Sequence, residues 1–137
     1  MVTNFESKTQ PLTEKEKLLV QPLINAIKNQ ARCADHWLSS KNLINQVEQE
    51  YNKITGETVW IKDSVTLRKL VNYVVTNQIL PIASSYCGYW LCSESEFDDQ
   101  IKSLRERAGA LITRANAMAE MKYGNYKANE NFKSDEF

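Results

Sequence analysis

A chain of 137 residues with 42% hydrophobic content suits one compact domain with extensions and can bury a sizeable core. Its 17 basic and 17 acidic residues cancel, so no whole-molecule field draws it to a polyanion, and any nucleic-acid site has to be local. No apolar run approaches the ~18 residues of a spanning helix, and the first residues lack a signal-peptide core, so a soluble cytoplasmic protein with no membrane partner is expected.

Residues 1–11 are polar and aperiodic and read as a flexible arm. Thr13 followed by Glu16 is a capping box, and Leu18, Leu19, Leu23, Ile24, Ala26 and Ile27 then define a first helix. Pro22 predicts a kink, or a restart with the proline in the first turn. Residues 30–40 show no period and are expected to form a loop that tucks Trp37 against the core. Ser39 or Ser40 can cap a second helix over residues 41–52, with Leu43, Ile44, Val47 and Tyr51 on one face. Gly56 ends that connection, and residues 58–61 are expected to be a short strand.

A third helix follows, capped by Asp63 or Ser64. Leu67, Leu70, Val71 and Val74 mark its buried face, with Arg68, Lys69, Asn72 and Tyr73 on the other. Residues 79–83 and 89–92 are β-prone runs around a polar turn containing Gly88, as a hairpin requires. Ser93 with Glu96 is a second capping box. After it Phe97, Ile101, Leu104, Ala108, Leu111, Ala115 and Met118 alternate at spacings of four and three, a heptad seam on a long helix over residues 93–122. Its early acidic and later basic residues suit the helix dipole. Gly124 stops it, and residues 123–137 are too poor in apolar side chains to fold, so a disordered tail is expected.

No catalytic constellation is visible. The single His36 has no obvious nucleophile partner, and four glycines form no phosphate loop, so neither enzymatic activity nor a cofactor is expected. Cys33, Cys87 and Cys92 are odd in number and irregular in spacing, which predicts reduced thiols. Cys33 and His36 have the spacing of half a zinc site, but Cys87 and Cys92 complete none of the usual finger spacings, so no metal is expected.

Helix, helix, short strand, helix and hairpin in this order predict a mainly α winged helix-turn-helix domain over residues 12–92, plus the long C-terminal helix. The run IKDSVTLRKLVNYVVTNQILPIASSYCGYWLC, with Gly88, Tyr89 and Trp90 closing the hairpin and SLRERA beyond, resembles small winged-helix proteins encoded by phages and prophages. The resemblance covers roughly residues 12–122. It implies binding to double-stranded DNA in the bacterial host cytoplasm, with a role in replication initiation or transcriptional regulation.

On that reading the third helix is the recognition helix. Ser64, Thr66, Arg68, Lys69, Asn72 and Tyr73 supply donors and acceptors, Arg68 suiting guanine, Asn72 adenine and Lys69 a phosphate. Ser84, Ser85 and Tyr86 at the hairpin tip would meet sugar and phosphate. Residues 52–80 hold Lys53, Lys62, Arg68 and Lys69 against Glu57 and Asp63, a local basic surplus of two. Ala108, Leu111, Ala115 and Met118 are the expected homodimer seam. The competing expectation is a module that binds another protein through the same elements.

Overall fold

The computed structural model describes residues 11–124. Apart from Pro11, Tyr123 and Gly124, the expected N-terminal arm and C-terminal tail lie outside the described residues. The elements run α1 (Glu14–Lys17), α2 (Val20–Gln30), α3 (Ser40–Thr55), α4 (Ser64–Thr76), β1 (Ile82–Ser84), β2 (Tyr89–Leu91) and α5 (Phe97–Tyr123). The protein is mainly helical with one small antiparallel hairpin. Two compact units meet between Phe97 and Asp98, so most of α5 is a unit of its own.

The local signals read from the sequence set most boundaries. Thr13 Oγ1 accepts from the Glu16 N–H at 3.1 Å, and the Thr13 N–H donates to Glu16 Oε1 at 2.9 Å, closing the first capping box. The helix that follows breaks at Leu18 and Leu19 and restarts at Val20. That places Pro22 in the first turn of α2, where the missing N–H removes no helical bond. Ser39 caps α3 by accepting from the Asn42 N–H at 3.2 Å, and α3 ends at Gly56, whose φ of 75° is the left-handed conformation glycine adopts without strain. Asp63 caps α4 by accepting from the Thr66 N–H at 3.1 Å. Leu23, Ala26 and Ile27 of α2, Leu43 and Val47 of α3, and Leu67, Leu70 and Val74 of α4 then interlock as a fully buried core, closed by Ile82, Ala83 and Trp90 of the hairpin.

Three expectations are corrected. Residues 58–61 form no strand: the Ile61 N–H donates to Glu48 Oε2 at 2.8 Å and the Glu57 carbonyl accepts from Asn52 Nδ2 at 3.1 Å, so side chains of α3 satisfy this linker in place of a ladder. The open edge of β2 is met by the α2–α3 connection. Leu38 and Tyr89 exchange two backbone hydrogen bonds of 2.9 Å, and the Leu91 N–H donates to the Ala31 carbonyl at 2.7 Å. That pairing turns Leu38 toward the core and leaves Trp37, which was expected to be tucked in, 46% exposed.

β1 also begins three residues later than the run at Ile79 suggested. Gln78 takes a φ of 58°, its N–H donates to the Val75 carbonyl at 3.0 Å, and the Ile79 N–H donates to the Val74 carbonyl at 2.9 Å. This is the Schellman closure of α4, so Ile79 belongs to the helix terminus. The hairpin register pairs Ile82 with Leu91, Ala83 with Trp90 and Ser84 with Tyr89.

The second capping box is present, with the Ser93 N–H donating to Glu96 Oε1 at 2.9 Å. The other oxygen, Glu96 Oε2, accepts from Trp90 Nε1 at 3.3 Å, which ties the start of the last helix to the hairpin. Within α5 no residue is buried. Among the described residues no helix is long and apolar enough to cross a membrane.

Candidate nucleic-acid interface

The residues expected to read DNA divide into three groups once α4 is seen in three dimensions. Ser64 and Arg68 stand exposed on one line along the helix. Thr66 is half-buried, and its hydroxyl joins its N–H on the Asp63 carboxylate, so it is part of the cap. Asn72 is half-buried one turn beyond Arg68, and its carbonyl accepts from the Thr76 hydroxyl at 2.7 Å.

Lys69 and Tyr73 do not face outward as the helical phase suggested. Lys69 Nζ donates to Glu16 Oε1 at 2.9 Å and to Oε2 at 3.2 Å, and both side chains are only 19% exposed. The Thr13 N–H and the Lys69 ammonium together hold the Glu16 carboxyl below its usual range. The positive charge assigned to a phosphate therefore already has a carboxylate partner on α1. Tyr73 packs half-buried against the core, which widens the buried face of α4 beyond the four aliphatic positions.

At the hairpin, Ser84 lies within β1, and Ser85 organises the turn: its hydroxyl accepts from the Cys87 N–H at 3.1 Å and its N–H donates to the Gly88 carbonyl at 2.9 Å. Tyr86 is fully exposed at the tip. Gly88 lies against the Leu38 carbonyl so closely that a Cβ would overlap it. The absence of a side chain there is what lets the hairpin reach the start of α3.

That close approach assembles a point that the sequence alone did not show. Tyr89 is half-buried, and Arg68 and Ser40 both bear on its hydroxyl. Burial pushes the Tyr89 hydroxyl above its ordinary value, and the Arg68 charge and the Ser40 hydrogen bond pull against that rise. Residues of α3 and α4 thus set the electrostatics of an aromatic hydroxyl on β2. Tyr89 was legible as part of the hairpin, but its partners are 49 and 21 residues away in sequence and no local pattern connects them.

Cys33 and His36 lie 3.1 Å apart, Sγ to Nδ1, within one short turn. Among the described residues no three histidine, cysteine or acidic side chains gather as a metal site would require. All three cysteines are free thiols. The chain matches none of the family models, curated proteins or solved structures with which it was compared.

Proposed function

We propose that this chain is a DNA-binding protein of winged-helix type, with α4 as recognition helix, β1–β2 as wing, and a binding rather than a catalytic role. The likeness of its central run to small phage and prophage proteins supports a part in replication initiation or transcriptional regulation. The observation that carries the reading is the connectivity: helix, extended segment, two helices and a hairpin, with the extended residue Leu38 bonded to the outer edge of β2. This arrangement leaves Ser64 and Arg68 exposed along α4, with Ser64 beside Ser40 at the N-terminus of α3, as major-groove docking of α4 requires.

Mobility shift on duplex DNA across a salt series tests it, because phosphate contacts appear as a salt-dependent affinity. Arg68→Ala is expected to weaken binding to a selected site by about 1–3 kcal/mol and leave thermal stability unchanged, since the guanidinium is exposed. Absence of duplex binding at low salt overturns the reading. One observation favours the second reading, a protein-binding module: Leu111 and Met118 are exposed on one line along α5, with Ile112 exposed beside it. Duplex binding that survives deletion of α5, or its absence in the intact chain, separates the two.

A further inference from the structure

Trp60 is the anomaly of the folded surface. It is 78% exposed, yet its backbone is fixed: Val59 and Ile61 on either side turn into the core, the Ile61 N–H is held by Glu48, and Asp63 caps α4 three residues on. The chain thus holds a large aromatic ring in solvent on an anchored backbone, where an alternating pattern could have accommodated any polar residue. Trp60 lines an open groove of about 380 Å³ that runs along the first half of α3. Lys41 and Lys62 line the same groove, together with Ser40 at the positive end of α3, and neither ammonium appears in an ion pair among those of the described residues. Glu48, whose carboxylate accepts from the Ile61 N–H, is the one acidic residue in that lining, which therefore carries two cations against one anion. An adjoining pocket shares Asn45 and Glu48 with this groove and is lined further along α3 by Gln49 and by Asn52, whose Nδ2 donates to the Glu57 carbonyl and whose Oδ1 can accept.

An aromatic platform flanked by cations and followed by a row of amides is complementary to one strand of nucleic acid, with a base on the ring and its phosphates on the lysines. We propose that the groove between α3 and the linker at residues 58–62 binds a single strand, with Trp60 stacking on an unpaired base and Lys41 and Lys62 holding adjacent phosphates. The proposal rests on the nucleic-acid reading above, extending it from duplex to unpaired strand. Ser64 lines the groove and also opens α4, so the strand site adjoins the proposed duplex site.

The test is fluorescence anisotropy of a labelled oligothymidylate of about 15 nucleotides, a length set by known single-strand site sizes, against the full chain and its variants. The intact protein is expected to bind it. Trp60→Ala should lose about tenfold in affinity and Trp60→Phe much less, with melting temperatures unchanged because the ring is exposed. Lys41→Ala with Lys62→Ala should flatten the salt slope by about 1.4, at 0.7 per phosphate on a single strand. Arg68→Ala should leave oligothymidylate binding as it is while weakening duplex binding. No binding of oligothymidylate, or binding indifferent to Trp60 and both lysines, overturns the proposal. Duplex binding that depends on Arg68 in the same experiment leaves the duplex reading standing, so the two failures are told apart.

Discussion

The Glu16–Lys69 pair joins side chains 53 positions apart, and its consequences are those of a partly shielded ion pair. A carboxyl whose folded value is depressed contributes stability that is full above its unfolded value and is lost as pH falls through the folded one. Glu16→Gln is therefore expected to cost about 1 kcal/mol near neutral pH, a figure kept small because solvent still reaches both groups. The gap to the parent protein should close as the pH is taken below the ordinary carboxylate range. Thermal melts at pH 7 and pH 3 measure this, and a gap of constant size would remove the ion pair as its cause. Lys69→Ala should show the same loss of stability with little change in the salt slope of DNA binding, the opposite of what a phosphate contact predicts.

For the elements, the decisive contact is Gly88 against Leu38. Gly88→Ala is expected to cost about 2–4 kcal/mol, because the methyl group displaces the Leu38 carbonyl and the paired bonds with Tyr89 go with it. Chemical denaturation reads that cost, and a neutral effect would mean the hairpin is not held at that point. Leu70→Ala should cost about 2–5 kcal/mol from a fully buried position. Tyr73→Ala should cost about 1–2 kcal/mol, intermediate because the ring is half-buried. Caps and the aliphatic faces were legible in the sequence because each is written at spacings of three or four residues, as in Thr13 with Glu16, Asp63 with Thr66 and Ser93 with Glu96, whereas helix ends were not: α3 runs on to Thr55, past the expected residue 52. The partner of β2 was not legible. Residues 58–61 had strand propensity and Leu38 had no pattern around it, and a contact set by tertiary approach at a glycine overrode both. The same limit applied to the candidate site, where Arg68 could be read from helical spacing but its relation to Ser40 and Tyr89, and that of Trp60 to Ser40 and Ser64, arise only through packing.

Viewed as a whole molecule, the chain carries more apolar helix surface than one small unit requires. α5 has 27 residues, about 40 Å at 1.5 Å per residue, and along its seam Leu111 is 43% and Met118 69% exposed. Ala108 and Ala115 separate these larger residues with small ones, so a second helix can approach closely between them. Ile112 widens the stripe beside Leu111, which increases the area that water must leave when the seam is covered. A second copy of α5 would supply a matching surface by symmetry, and two-fold pairing would present two α4 helices to a repeated or palindromic DNA site. Sedimentation equilibrium at tens of micromolar protein is expected to give a dimer mass, and Leu111→Glu to return it to the monomer by placing two carboxylates in the seam. Because Leu111 lies outside the compact unit that contains α4, that variant should keep its far-ultraviolet circular dichroism and its affinity for a single half-site. It should lose the preference for two half-sites over one. A monomer mass for the parent chain at these concentrations sinks the dimer, and a dimer that survives Leu111→Glu moves the interface off this seam.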